Sequence, residues 1–200
     1  MQILVEELER PMVIQWERRM TDDEYVQFCA ANPDLRIERS AAGDILIMSP
    51  AGGESSFRNS ELSAELRIWA RQDGRGRSFD SSVEYFLPSG AAYSPDASWV
   101  LRSRLDQLTR DEKRRFLRLC PDFVVELMSP SDRLIKLKAK MRAWIENGAQ
   151  LGWLLDPDRR TIYIYCADRE PEQLVNPERV AGEGPVAGFV LVLADVWAEL

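Results

Sequence analysis

Two acidic residues in this chain stand where a carboxylate is expensive to keep. Asp96 lies in Ser94-Pro95-Asp96-Ala97-Ser98-Trp99-Val100, and Glu126 follows about 30 positions later in Pro121-Asp122-Phe123-Val124-Val125-Glu126-Leu127. Both segments read as strands. An ionised carboxylate taken out of water costs several kcal/mol unless something pairs with it, and two on neighbouring strands repel. A divalent cation relieves both problems, and a cation held by two carboxylates points to phosphodiester chemistry. The plainer readings are an acid at a strand start for Asp96 and a buried salt bridge for Glu126.

Such chemistry also calls for a basic group, to orient the attacking water and offset charge on the phosphate. The segment after Glu126 has a helical apolar stripe of Leu134, Leu137, Met141 and Trp144. Lys138 and Lys140 flank this stripe on opposite sides and Lys136 points further out. Periodicity does not choose between Lys138 and Lys140, and a solvated lysine face is the plain alternative. Further upstream, Glu61 and Glu65 share a helix face, and either could extend the acidic site or simply face solvent.

The elements that must carry these groups can be read from local signals. Thr21-Asp22-Asp23-Glu24 has the form of a capping box and opens a helix through about Ala31. Leu35–Glu38 and Ile45–Met48 flank a hairpin turn at Ala41–Asp44. A long helix runs from about Glu54 to Gln72, with Leu62, Leu66 and Trp69 on its apolar face. Strands are predicted over Arg77–Phe86 and Tyr93–Leu101, with Asp96, Ser98 and Val100 on one face and Ala97, Trp99 and Leu101 on the other. Thr109-Arg110-Asp111-Glu112 predicts a short charged helix. Phe123–Met128 reads as a central strand. Ser131 or Asp132 caps a helix to about Asn147, with Gly148 ending it. Strands follow at Leu151–Leu155 and Thr161–Tyr165, and the tail Gly188–Trp197 offers a last strand and a helical end. This order predicts an α/β fold with a mixed central sheet. The 200 residues suit one domain, divided as 1–50 (helix and hairpin), 51–170 (core) and 171–200 (strand and tail).

Composition removes several function classes. There is no histidine, which excludes a Ser-His-Asp triad, a Cys-His dyad and the usual zinc enzymes. Cys29, Cys120 and Cys166 are odd in number and far apart, so a disulfide framework is not expected. No GxGxxG or GxxxxGK[ST] occurs. A net charge of −7 argues against a broad basic surface that coats nucleic acid. Cationic residues do cluster at 71–77, 102–118 and 133–142, which read most simply as solvated faces. No apolar run is long enough to span a bilayer, and Met1–Glu7 is acidic where a signal peptide needs a basic segment, so a cytoplasmic protein is expected.

The chain resembles the Uma family of restriction-endonuclease-like proteins, within the PD-(D/E)XK nuclease superfamily. The resemblance rests on MSPAGGESSFRNSEL, RSFDSSVEYFLPSGAAYSPDASWV, CPDFVVELMSPSD, KLKAKMRAWIENGAQLGWLLDPDRRTIYIY and PVAGFVLVL, which together span most of the sequence. It implies a restriction-endonuclease-like mixed central sheet flanked by helices, and Mg²⁺- or Mn²⁺-dependent hydrolysis of DNA. Asp96 and Glu126 match the acidic ligands, with the Leu127 carbonyl assisting. The superfamily lysine normally lies two residues after the second acid, where this chain has Met128. Lys140, four before Trp144, matches the helix lysine that takes the role in this family and is preferred over Lys138. Glu61 resembles a supporting helix glutamate. Many relatives carry a histidine where this chain has Ser55 and Ser56. A homodimer is a further expectation, since cutting both strands of a duplex calls for two active sites. The alternatives are a nuclease fold with weak or no catalysis that serves as a nucleic-acid-binding or regulatory module, and a metal-free hydrolase such as a glycosidase.

Overall fold

In a computed structural model, residues 12–16 and 18–200 are described. The acidic run Met1–Glu7 lies outside them. The elements in chain order are β1 (Met12–Ile14), α1 (Asp22–Ala30), β2 (Ile37–Arg39), β3 (Ile45–Ile47), α2 (Gly53–Asp73), β4 (Gly76–Asp80), β5 (Tyr85–Phe86), β6 (Ala92–Tyr93) and β7 (Ala97–Leu101). They continue with α3 (Arg102–Asp106), β8 (Phe123–Leu127), α4 (Leu134–Glu146), β9 (Leu151–Asp156), β10 (Thr161–Cys166), β11 (Arg169–Val175), β12 (Arg179–Ala181), β13 (Val190–Val192) and α5 (Ala194–Trp197).

Six strands form the main sheet in the order β11-β10-β9-β8-β7-β4, antiparallel except for the parallel pair β8–β9. The parallel step is the one that α4 crosses, as a parallel connection requires. Alternation along β7 divides the core into two layers. Ala97 and Trp99 pack with Leu62 and Leu66 of α2, while Val100 packs with Leu137, Met141 and Trp144 of α4. The two faces of β7 therefore meet α2 on one side and the expected α4 stripe on the other, and the architecture is α/β with helices flanking a mixed sheet. Gly76 on β4 is required by this packing, since a Cβ there would lie 2.3 Å from ring atoms of Trp99.

A second sheet in the order β1-β3-β2-β6-β5 holds the predicted hairpin. Its core is Tyr25 and Phe28 of α1 against Ile37, Ile45, Ile47 and Phe86. The capping box at Thr21 forms as expected, with both reciprocal bonds to Glu24 present.

Four local expectations differ from the structure. Tyr93–Leu101 is not one strand: Ala92–Tyr93 pairs in the second sheet and Ala97–Leu101 in the main one. Arg77–Phe86 is not one strand: β4 stops at Asp80, whose carboxylate accepts the Ser82 amide and turns the chain away. Tyr85–Phe86 then joins the second sheet instead. The helix start at Ser131 or Asp132 moves to Arg133, because Asp132 bonds back to the Ser129 amide and hydroxyl rather than capping α4. The Thr109 box folds into a single 3₁₀ turn, Glu112–Arg114, and the α-helix of that region is α3.

Candidate active site

The register of β7 on β8 brings the two acids together. Ala97 pairs with Val125, and one step further the Asp96 amide donates to the Val125 carbonyl at 3.0 Å, so Asp96 stands opposite Glu126. Both are buried. Asp96 precedes β7 and is reached from several elements. Its Oδ2 accepts the Leu127 amide at 2.8 Å, and its Oδ1 accepts Asn59 Nδ2 of α2 at 3.0 Å. The Arg36 guanidinium stands 3.7 Å from the same Oδ1.

Glu126 Oε1 accepts the Trp144 indole N–H at 2.8 Å and lies 2.9 Å from Lys140 Nζ. Among the described residues no hydrogen bond reaches its Oε2. Lys140 also donates to Glu38 Oε1 of β2 at 2.8 Å and to the Ser94 carbonyl at 3.3 Å. Glu38 is itself fixed by the Ser94 amide at 3.0 Å. Of the two candidate lysines, Lys140 therefore meets the acids. Lys138 lies on the other side of the α4 stripe, with its ammonium 3.9 Å over the Tyr163 ring. Glu61 is two residues along α2 from Asn59, about 200° around the helix, so it faces away from the side that touches Asp96.

Charge does not balance in this cluster. Asp96, Glu126 and Glu38 are three buried carboxylates, of which Lys140 touches Glu126 and Glu38, while the cation beside Asp96 is Arg36, a longer contact that keeps partial access to water. Burial holds the Glu126 carboxyl above its ordinary range; Lys140 opposes this, and the charges of Asp96 and Glu38 add to it. Burial pulls Lys140 towards its neutral form, but Glu126 and Glu38 together outweigh that and hold it protonated.

A hard cation fits the groups present. The donor set is all oxygen, there is surplus negative charge, and Glu126 Oε2 is unengaged. Among the described residues no three Asp, Glu or Cys side chains gather closely enough to hold an ion alone. Two carboxylates would therefore need carbonyl or amide oxygens to complete a shell.

Beside the cluster opens a cleft of about 1100 Å³, lined by Arg36, Ser94, Glu84, Arg115 and Phe116 among others. Glu84 sits in it with its carboxylate on the Tyr25 hydroxyl. That hydroxyl has one proton and two oxygen neighbours, the other being the Ile37 carbonyl at 3.1 Å, so a protonated Glu84 completes the pattern. Burial pushes the Glu84 carboxyl up to about 8; donation from the Tyr25 hydroxyl to the ionised carboxylate would oppose this, and the Glu38 charge adds to it. An unfolded glutamate titrates near about 4.3, so the folded state keeps a proton that the unfolded chain has lost. Stability from this group is full below that lower value and falls as pH rises towards the folded one, by at most about 1.4 kcal/mol per pH unit. Glu84→Gln is expected to flatten the fall in Tm across this window in thermal unfolding; an unchanged slope would contradict the assignment.

Residues 22–194 match the Uma2 family, described as "Putative restriction endonuclease". The chain belongs to this family. Among solved structures it is similar to a protein from Anabaena variabilis ATCC 29413 described as "a putative nuclease belonging to DUF820". Identity is 22%, the match covers 89% of this chain and 97% of the other, and the TM-score is 0.76, which shows a shared fold. No curated protein matches the chain. Membership in Uma2 supports a nuclease function in general terms. Among the described residues no helix is long and apolar enough to cross a membrane.

The expectations from sequence did not include Glu38, Asn59 or Arg36. Glu38 lacks the signal used for Glu126: its neighbours are Arg36, Ile37, Arg39 and Ser40, so the three-residue β2 reads as a polar hairpin arm. Asn59 and Arg36 carry no local signal, since their contacts with Asp96 cross 37 and 60 residues of sequence.

Proposed function

We propose that this Uma2 protein is a metal-dependent endonuclease that hydrolyses DNA phosphodiester bonds at Asp96, Glu126 and Lys140. The observation that carries the reading is the excess of buried carboxylate over ammonium at the end of β7 and β8. Asp96, Glu126 and the Leu127 carbonyl would hold Mg²⁺ or Mn²⁺. When bound, such an ion supplies a Lewis acid for the phosphoryl oxygen and lowers the pKa of a bound water.

The protein's own groups have separable tasks. Trp144 holds one oxygen of Glu126, which leaves the other directed away from the indole. The Leu127 amide and Asn59 fix the Asp96 carboxylate. Glu38 anchors Lys140 so that its ammonium stays beside Glu126. The Ser94 carbonyl, at 3.3 Å, is the longest of the three polar contacts of Lys140, and an incoming phosphate oxygen or water can replace it. Lys140 then positions the nucleophile and offsets developing negative charge. DNA as the substrate and a homodimer that cuts both strands belong to the same reading.

The test is an assay on supercoiled DNA, linear duplex, single-stranded DNA and RNA, first with chelator and then with Mg²⁺ or Mn²⁺ restored. Cleavage of DNA that stops with chelation and returns with the ion is expected. Failure to cleave any of the four with either ion would contradict the reading and leave the fold as a binding or regulatory module.

A further inference from the structure

We propose that Asn59 is a cation ligand whose side-chain carbonyl supplies a further protein oxygen to the site formed by Asp96 and Glu126. This rests on the metal-dependent reading above and goes beyond it.

The amide orientation is set by chemistry. Asn59 Nδ2 donates to Asp96 Oδ1 at 3.0 Å, and the flipped amide would place its oxygen against a carboxylate oxygen. The other end of the amide, Oδ1, is shielded from solvent and accepts no hydrogen bond. Leaving such an acceptor unsatisfied costs about 1–3 kcal/mol. The remaining buried side-chain atoms without a partner among the described residues are Trp16 Nε1, Arg58 Nε, Trp99 Nε1 and Trp153 Nε1. All four are N–H donors. Among the described residues Asn59 Oδ1 is thus the one buried side-chain acceptor without a partner, and it belongs to the side chain that touches Asp96.

A hard cation has use for such an acceptor. Mg²⁺ and Mn²⁺ take oxygen donors, and an Asn carbonyl is an ordinary member of such sets. Among the described residues no third acid stands close enough to share an ion with Asp96 and Glu126, and Glu38 is engaged by Lys140 and the Ser94 amide, so a neutral oxygen is the next donor. Position favours Asn59 as well. It lies in the first third of the 21-residue α2, whose Leu62 and Leu66 are fully buried against the main sheet, so the amide is held by a rigid element. Glu61, the acid on this helix, faces elsewhere.

The test measures Mn²⁺ affinity directly, by calorimetry without nucleic acid, on the wild type and on Asp96→Asn, Asn59→Leu and Asn59→Asp. Metal-free Tm is recorded for each. Asn59→Leu is expected to weaken binding on the order of 10-fold. Asn59→Asp adds a charged oxygen donor and is expected to tighten binding by a similar factor. Its metal-free Tm should fall, because the new carboxylate faces Asp96, and Mn²⁺ should raise it by more than in the wild type. If the wild type binds Mn²⁺ through Asp96 but both Asn59 variants bind equally well, the proposal is wrong. If Asn59→Asp weakens binding as Asn59→Leu does, only the N–H to Asp96 matters, and the proposal is again wrong. A wild type that binds no Mn²⁺ would overturn the metal-dependent reading and this one together.

Discussion

Lys140→Met is expected to reduce DNA cleavage at least about 100-fold and to destabilise the fold by about 3–5 kcal/mol, the usual cost of breaking a buried ion pair from one side. Lys140 is the ammonium that Glu38 and Glu126 share, at 2.8 and 2.9 Å. Without it both carboxylates are buried with only hydrogen-bond donors for company. One relief is open to them, which is to take up a proton. The loss of stability should therefore shrink as pH falls, and the two Tm curves should converge in acid. Lys138→Met is the matched control. It forfeits a cation–π contact with Tyr163 worth about 0.5–1 kcal/mol and leaves the acids untouched. Its activity and Tm should stay near those of the wild type. Loss of cleavage in Lys138→Met with retention in Lys140→Met would reverse the assignment. Chemical denaturation and a cleavage time course on both variants suffice to decide.

The second large effect concerns Asp96. Asp96→Ala removes one of two acidic ligands and leaves the Leu127 amide and Asn59 without their acceptor. If the metal contributes several kcal/mol to the transition state, at about 1.4 kcal/mol per decade, cleavage should fall by about 10²- to 10³-fold or more. Stability responds in two directions. The orphaned Leu127 amide costs about 1–3 kcal/mol, while removing a negative charge from beside Glu126 and Glu38 relieves repulsion. The Tm should therefore move less than the activity does. Raising the Mn²⁺ concentration should restore part of the rate if affinity is what has been lost. A variant that keeps wild-type cleavage would remove Asp96 from the site.

How much of this was visible in the amino-acid sequence depends on the reach of each signal. The Thr21–Glu24 capping box and the two faces of β7 are short-range patterns, and both appear as read. The fold class follows from the order of such elements. The pairing of Asp96 with Glu126 was readable because Glu126 lies in β8 and Asp96 directly precedes β7, and the apolar residues of the two strands fix the buried register. Periodicity placed Lys138 and Lys140 on opposite flanks of α4 but gave no way to tell which flank meets the acids. That choice is made by Glu38, which is 102 residues away in sequence and arrives through the second sheet. The second sheet was only half legible, because β5 and β6 have two residues each and carry no alternation. The edge strand β11 was missed for another reason. Its Arg-Glu-Pro-Glu-Gln run is exposed and charged, which protects a sheet edge but hides a strand.

Glu126 is the acid on which the proposed site most depends, since it is buried and touches both Lys140 and Trp144. The measurement is the single-turnover rate of cleavage of one DNA substrate by wild type and Glu126→Gln across a Mg²⁺ series, with folding matched by Tm. Glutamine keeps the size of the side chain and an oxygen for Trp144 or Lys140 but loses the charge. The account predicts a wild-type rate that rises with Mg²⁺ to a plateau and a variant at least about 100-fold slower at every concentration. Equal plateau rates for the two proteins would contradict it.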